Sequence, residues 1–452
     1  MNLTDIYNKL PVCLQNFATS AYGLLRETRR FGGEFNKFYR SVTNSEFYDR
    51  EQMLELQKKN LRALFIEANS SKYYKELFSK LNINPENDDP WDLLSKLPIL
   101  EKDQLRGHES DFYTRNADKA LTFHTSGSTG TPLNIKMSLS DLRFRMALLE
   151  RQKCRYGVNH KSKHLTFVGK KITSPKSKTF WRHNIFGNQL VMSVYDLSEQ
   201  NKDIYLSKIR QYSPDVIEGY PSALEIISKW ISDTDYNISP KCIFATAETL
   251  TKEQRNLIET AFRCPVVNYY GSTEGSTMIT QCENGCLHID DECGIIEFLR
   301  NDGTPAQHGE VSNMIITSFT TKAMPLIRYN IGDLGVFSEE KCSCGRSTKV
   351  ITDIIGRVDD IFITREKGYV GRLSTSLKLL PSTVRRAQIH QKSMDDFLLL
   401  LETDQTTDDL NLKAVYDDLY DKLGKVNIVI ECTKSIPCGN NGKFRTQIKH
   451  FK

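Results

Sequence analysis

Apolar residues change their period several times along the chain, and the changes mark out elements. Between Glu46 and about Leu77 they recur at helical spacing, with Met53, Leu56, Leu61, Leu64 and Phe65 on one side, which predicts helix. Asn84 to Pro90 reads as a turn-rich link, and Leu97-Pro98-Ile99-Leu100 begins a connection to the next strand. Ala120-Leu121-Thr122-Phe123 reads as a strand, and the alternating Leu133, Ile135 and Met137 as a second. Residues 140–160 predict a basic helix. Ile204 to Ile209 is helical, and Asp215 to Tyr220 is a short strand with Gly219 near its end. A helix opens at Pro221-Ser222, with proline near its first turn. Cys242-Ile243-Phe244-Ala245 is a buried strand, a helix follows with Thr249 or Thr251 as its cap, and Val266 to Tyr270 is the next strand. Strand and helix in alternation predict a parallel, doubly wound sheet, whose ligands sit at the carboxyl ends of the strands. From about 290 to 365 the pattern turns to short strands and turns, with a break near Gly356 to Asp360. Beyond it come a strand at Phe397 to Leu401, a helix over 408–423 and a strand at Val426 to Ile430. Residues 1–45 mix aromatic and basic positions, with Arg26, Arg29 and Arg30 clustered, and read as a solvated helix face.

Composition narrows the class. A chain of 452 residues, 39% hydrophobic and 26% charged, buries a large core in two or three domains. Its 61 basic and 56 acidic residues leave a net charge of +5, too balanced to argue for nucleic acid or a membrane. Eleven cysteines are too dilute for a disulfide scaffold. The grouping of Cys282, Cys286, Cys293, Cys342 and Cys344 points to a metal or to reduced thiols in a cytosolic protein. Met1 to Arg30 holds no signal-like apolar core, and no apolar run approaches the ~18 residues of a membrane span. The expectation is a cytoplasmic protein with no integral membrane segment and no nucleic-acid partner.

Candidate chemistry begins at Thr125-Ser126-Gly127-Ser128-Thr129-Gly130-Thr131-Pro132. Glycines let backbone approach a polyphosphate, and hydroxyls and N–H groups donate to its oxygens. No Lys-Ser/Thr follows the second glycine, so this is not the P-loop pattern. Alone, such an octamer reads more readily as a flexible linker. Four pieces downstream change that reading: Tyr270-Gly271-Ser272-Thr273-Glu274, Tyr329-Asn330-Ile331-Gly332-Asp333, Gly356-Arg357-Val358-Asp359-Asp360, and Asn441-Gly442-Lys443-Phe444-Arg445. All five in this order resemble the adenylate-forming superfamily of acyl-CoA synthetases, peptide-synthetase adenylation domains and luciferases. Phe180-Trp181-Arg182, Gly219-Tyr220-Pro221-Ser222-Ala223-Leu224, Thr246-Ala247-Glu248 and Ala387-Gln388-Ile389-His390-Gln391 are most similar to its phenylacetate–CoA ligase branch, and there to CapK-like members associated with polysaccharide clusters.

The resemblance implies an α/β fold. A large N-terminal domain, 1–356, would hold doubly wound mixed sheets plus a β-rich subdomain. A small mobile α+β C-terminal domain, 357–452, would carry the lysine. It implies ATP and Mg²⁺, and activation of a small-molecule carboxylate as an acyl-adenylate. Attack of a carboxylate on the α-phosphorus turns a poor leaving group into AMP, a good one, provided two anions are brought together. Lys443, Glu274 and Thr273 are the residues implied at the chemistry. Lys443 bridges substrate carboxylate and α-phosphate, and Glu274 binds Mg²⁺, a hard cation that prefers carboxylate oxygen. Thr125, Ser126, Gly127, Ser128, Thr129 and Gly130 hold phosphates. Ala247, Glu248, Tyr269, Tyr270, Gly271 and Ser272 line the nucleotide, with Tyr270 on adenine. Asp333 accepts from the ribose hydroxyls, Arg357 reaches ribose or phosphate, and Asp359 is the hinge.

Cys282 and His288 form a C-x5-H pair, and Cys342-Ser343-Cys344 a C-x-C. Together they can close a tetrahedral Cys₃His site for structural Zn²⁺, a pattern also shown by phenylacetate–CoA ligase-like proteins. Unrelated reduced thiols are the other reading, and Cys286 is an extra thiol able to compete. Two departures from the family stand out. Pro132-Leu133-Asn134-Ile135-Lys136 lacks the Pro-Lys of many relatives, and Ile361 to Tyr369 is not the usual segment lining the CoA channel. The acceptor is therefore CoA, or an amine or hydroxyl on a sugar or nucleotide sugar. A non-catalytic nucleotide-binding scaffold is the reading from another class, opposed by the presence of Glu274, Asp333, Arg357 and Lys443 together. A homodimer is compatible with all of these.

Overall fold

The structure is a computed structural model that describes residues 7, 10–125, 133–169, 172, 179–275, 277–357, 362–370, 373–381, 383–437 and 444–451. Two compact units divide the chain: residues 1–331 with 336–353, and residues 332–335 with 354–452.

The first unit opens with helices α1 (Val12–Phe31), α2 (Phe35–Ser45), α3 (Arg50–Ala68) and α4 (Lys72–Lys80). The helical run expected over 46–77 is thus two helices. Asp49 starts the first with a reciprocal capping box to Gln52. Ser71 starts the second by accepting from the Tyr74 N–H, so the serine-rich break at Asn69-Ser70-Ser71 overrides the continuous apolar period. Met53, Leu61, Leu64 and Phe65 are buried as the spacing requires. Two short helices follow, α5 (Pro90–Lys96) and α6 (Lys102–Leu105), then the hairpin of β1 (Leu121–His124) and β2 (Asn134–Met137).

Helix α7 (Leu139–Arg155) is the basic helix of the sequence, but it does not display its charges to water. Asp141, Arg145, Glu150 and Arg151 are all buried. Each is paired inward, as a buried charge must be.

Among the described residues twelve strands form one sheet. Its parallel half runs β3 (His164–Val168), β5 (Gln189–Ser193), β6 (Val216–Gly219), β7 (Cys242–Ala245) and β8 (Val266–Tyr270), with β4 (Trp181–Asn184) antiparallel at the edge. The intervening helices α8 (Lys202–Tyr212), α9 (Pro221–Ser232) and α10 (Lys252–Phe262) fall where the periodicity puts them. Thr251 caps α10, with Gln254 completing the box. The β-rich stretch continues the same sheet. Strand order is β11-β12-β13-β14-β10-β9-β8-β7-β6-β3-β5-β4, where β9 is Ile279–Gln281, β10 Leu287–Ile289, β11 Gly294–Leu299, β12 Ser312–Ser318, β13 Tyr329–Ser338 and β14 Val350–Arg357. Leu165, Phe167, Leu190, Ile217, Leu224 and Ile243 form the core between the parallel strands and their helices.

The second unit contains the small hairpin β15 (Phe362–Thr364) and β16 (Gly368–Val370), and a four-stranded sheet. Strands β17 (Arg386–Gln391) and β18 (Asp396–Glu402) are antiparallel. Strand β19 (Asn427–Thr433) lies parallel to β18, and β20 (Gln447–Lys449) parallel to β17. Helix α11 spans Lys413–Leu423 and starts later than expected, because Thr406 and Asp409 cap a separate short turn at 407–409. Phe362, Ile389, Phe397, Leu399, Leu401 and Leu419 are its core. No helix among the described residues is long and apolar enough to cross a membrane.

Candidate active site and cysteine–histidine cluster

Strands β6, β7 and β8 are parallel and in register, with Gly219 opposite Ala245 and Ala245 opposite Asn268. Their carboxyl ends therefore deliver Tyr220, Thr246-Ala247-Glu248 and Tyr270-Gly271 to one edge, the ligand-binding edge of such sheets. The Thr246 N–H donates to the Gly219 carbonyl at 3.0 Å. Ala247 is exposed and holds φ at +68°, a conformation costly for a residue with a Cβ and found where function sets the backbone. Glu248 accepts from both the Ser222 N–H and its hydroxyl at 3.1 Å. It thereby ties the β7 loop to the start of α9, where a carboxylate complements the helix dipole.

Glu274 is 2% exposed. Its Oε1 meets no hydrogen-bond donor among the described residues, and the Lys102 ammonium, at the start of α6, stands 3.7 Å away. A buried carboxylate oxygen without a donor is costly. A hard cation such as Mg²⁺ is a group that would satisfy such an oxygen. Gly275 follows with φ +68°, and a Cβ there would come within 2.5 Å of the Thr321 methyl. Its carbonyl accepts from the hydroxyls of Ser318 and Thr320. Buried Arg145 of α7 donates to Thr320 Oγ1 at 3.4 Å and to the Ser272 carbonyl at 3.2 Å. The loop Gly271 to Gly275 is thus pinned on both sides, while Thr273 is exposed.

Behind this edge, Tyr269 hydrogen-bonds Thr246, and burial raises its hydroxyl pKa. Glu218 of β6 lies 2.5 Å from Lys153 and 3.6 Å from His164. Burial alone favours its neutral form, but Lys153 and His164 outweigh that and hold its carboxyl well below the ordinary range. Sequence reading missed Arg145, Lys102, Lys153 and Glu218, since each is an ordinary charge in an ordinary element until the fold turns it inward.

Thr125 is buried and closes the base of the hydroxyl-rich loop. Its N–H donates to the Leu133 carbonyl at 3.1 Å, and its Oγ1 accepts from the Leu133 N–H at 3.0 Å. Ser126, Gly127, Ser128, Thr129 and Gly130 lie outside the described residues, as do Asp359 and Lys443. Asp333 lies within β13 and Arg357 ends β14. Leu100 pairs with Tyr329 of β13, Glu101 accepts from the Asn330 amide at 3.2 Å, and Lys102 faces Glu274. The Leu100–Lys102 segment therefore links the start of β13 to the loop that carries Glu274.

Cys282, His288, Cys342 and Cys344 bring their ligand atoms within 4.8 Å of one another. Two tight turns do this, with Gly285 at φ +86° after the first cysteine and Gly345 at φ +85° after the C-x-C pair. Asn284 donates to Ser343 Oγ at 2.9 Å and joins the turns. His288 Nδ1 lies 3.3 Å from the Thr348 carbonyl, and its Nε2 lies 3.3 Å from Cys344 Sγ. Nδ1 lies equally close to the Thr348 hydroxyl, at 3.3 Å, and Nε2 is the nitrogen that faces the cluster and would serve as its ligand. Burial lowers the His288 pKa, favouring the neutral, ligating form. The donor set suits zinc, and Cys286 is not among the four.

Comparison with known proteins follows the same outline. The CapK C-terminal domain family matches residues 362–450. The chain is 30% identical to Protein CapK of Staphylococcus aureus over 461 aligned residues, covering 100% of both chains. It is 24% identical to phenylacetate-coenzyme A ligase of Thermus thermophilus, covering 80% of this chain and 83% of that one. A 2-hydroxyisobutyryl-CoA ligase solved in the postadenylation state with 2-HIB-AMP shares the fold, with a TM-score of 0.69, 16% identity, and 90% and 91% of the two chains covered. The chain belongs to the CapK family, in the phenylacetate–CoA ligase branch of the adenylate-forming ligases.

Proposed function

We propose that this protein activates a carboxylic acid with ATP and Mg²⁺ as an acyl-adenylate and passes the acyl group to an acceptor in surface-polysaccharide biosynthesis. The observation that carries the reading is Glu274, a buried carboxylate with an unsatisfied oxygen, at the strand edge where Tyr270 and Ala247 emerge. A scaffold that only bound a nucleotide would gain nothing from burying that charge.

In the first half-reaction a carboxylate oxygen attacks the α-phosphorus, the Pα–O bond to pyrophosphate breaks, and pyrophosphate leaves with the electron pair. Mg²⁺, held by Glu274, would supply charge neutralisation at the phosphates. Thr125 closes the loop that would cradle them, with Ser126, Ser128 and Thr129 as donors. Tyr270 would stack on adenine, Asp333 accept from ribose, and Arg357 reach ribose or phosphate. Lys443 would bridge the carboxylate and α-phosphate. In the second half-reaction the acceptor attacks the acyl carbonyl, AMP departs, and the acceptor loses its proton. Asp359 would be the hinge between the two halves. Zn²⁺ on Cys282, His288, Cys342 and Cys344 would be structural, because four protein ligands leave no position for water.

The fold does not choose the acceptor. It is shared by the CoA ligase above and by an acyl acid amido synthetase solved with 2,4-DB, at a TM-score of 0.53 and 13% identity. The altered segment at 361–369 favours an amine or hydroxyl on a sugar over CoA. Pyrophosphate exchange into ATP, over a panel of aryl, fatty and amino acids, tests the reading. Exchange stimulated by one acid and lost in Lys443→Ala is expected. ATP binding without exchange for any acid, sugar-linked acids included, would leave the binding-only reading standing. Asp359→Pro should retain exchange and lose transfer.

A further inference from the structure

Helix α1 is built inside out. Its inward face is polar. Gln15, Ser20 and Gly23 are its buried residues, and they lie against edge strand β4. Gln15 Oε1 accepts from the Arg182 guanidinium, and Asn16 Oδ1 accepts from the His183 N–H at 3.0 Å. The Ser20 hydroxyl donates to the His183 carbonyl and accepts from the Ile185 N–H. Gly23 is forced, because a Cβ there would overlap the Asn184 side chain. These side chains satisfy an edge strand that would otherwise be open.

The outward face is apolar. Leu14, Phe17, Ala21, Leu24 and Leu25 follow the i, i+3, i+7, i+10, i+11 spacing of one stripe, and all are exposed, Phe17 at 73%. The β4–β5 turn, bonded to the helix at Ser20, exposes two further apolar side chains, Ile185 at 76% and Phe186 at 58%. Tyr7 does not cover the stripe: it bonds Gln15 and Thr19, on the other flank. An ordinary surface helix places these residues the other way round.

We propose that this face docks on an anionic lipid surface. Two observations select lipid over a protein groove. The apolar residues include a protruding hairpin tip, which inserts into a soft phase more readily than into a rigid cleft. No charged side chain interrupts the stripe, while exposed Arg29 stands on the same helix and exposed Lys161 accepts through its carbonyl from the Asn188 side chain of the turn. A cationic rim around an apolar helical stripe is the pattern of an interfacial helix. A peripheral seat of this kind is independent of the adenylation reading.

Co-sedimentation of the full chain with vesicles tests the proposal. Vesicles of phosphatidylcholine alone are compared with vesicles containing phosphatidylglycerol. Binding to the anionic vesicles should exceed binding to neutral ones by roughly tenfold, and should weaken with salt. Phe17→Ser with Phe186→Ser should reduce it by about tenfold or more. A single Phe17→Trp variant should shift its emission to the blue on addition of anionic vesicles, which keeps the test open should the double variant fold poorly. Absence of vesicle binding and of any shift would overturn the proposal. So would a homodimer in vesicle-free ultracentrifugation that dissociates on the same substitutions, since the stripe would then be a self-association surface.

Discussion

The Lys102 ammonium stands 3.7 Å from Glu274 Oε1, an oxygen that has no other donor among the described residues. In the function proposed above, Glu274 would hold the divalent cation that meets the phosphates. Removing Lys102 leaves an uncompensated buried charge, costing about 1–2 kcal/mol after allowance for the partial exposure of the lysine. Lys102→Ala should therefore lower Tm in the absence of nucleotide. The deficit should shrink when Mg²⁺ and ATP are saturating, because the cation takes over the charge. The same variant should need a few-fold less Mg²⁺ for half-maximal binding, read with Mn²⁺ by electron paramagnetic resonance. An equal Tm deficit with and without Mg²⁺–ATP would show that Lys102 does not share the cation's position.

Arg145 holds the loop that carries Glu274 through the Ser272 carbonyl and Thr320. Arg145→Ala should raise the KM for ATP in exchange by roughly tenfold, by loosening a site whose geometry must be held closely. Arg145→Lys should restore little, since one ammonium does not span both acceptors as a guanidinium fork does. A variant that melts earlier but keeps its KM would place Arg145 in stability alone.

The cysteine–histidine cluster makes a separate prediction. Protein purified without chelator should carry about one zinc per chain, bound in tetrahedral S₃N geometry. Cys344→Ser should lose most of it and melt several degrees lower, while Cys286→Ser should keep it. Zinc retained in Cys344→Ser, or missing from the wild type, would contradict the assignment.

What could be read from the sequence was what depends on local period and short motifs. Strands β6, β7 and β8 and a cap at Thr249 or Thr251, which the fold places at Thr251, all follow from patterns within a few residues. So does the C-x5-H and C-x-C pairing, whose four ligand atoms the fold brings together. Strands β3, β4 and β5 were not legible, because Lys-rich and polar flanks around 160–190 blur their apolar runs. The inward charges of α7 were not legible either. Arg151 looks like any surface arginine until β10 and the turn after it bring Asp290 and Glu292 to 2.9 and 2.6 Å. Nor was the inverted face of α1, where period alone gives a stripe but not which side the protein takes.

Asp290, Asp291 and Glu292 are three consecutive carboxylates, all buried. They lock the N-terminal helices to the sheet through Ser45, Arg50 and Arg151. Their charges are unequally compensated. Arg151 outweighs burial for Glu292 and lowers its pKa. Asp291 is paired with Arg50, itself half exposed, with Lys349 acting on it from farther off, and it faces Glu292 and Asp290 as like charges. Burial pushes Asp291 up to about 7 and Asp290 up to about 6. A carboxyl whose folded pKa exceeds its unfolded value stabilises the fold below the unfolded pKa, near 4, and loses that contribution as pH rises through the folded one. The cost therefore develops between about pH 4 and 7 and is fully present at pH 8. Asp291→Asn keeps an acceptor for Arg50 and removes the charge. It should raise Tm by a few degrees at pH 8, by less at pH 5, and change it little below about pH 4, where the carboxyl is protonated in both the folded and unfolded states. Thermal melts of the two proteins across this range decide the matter. A variant that melts lower at pH 8 would mean that the Asp291–Arg50 attraction outweighs burial.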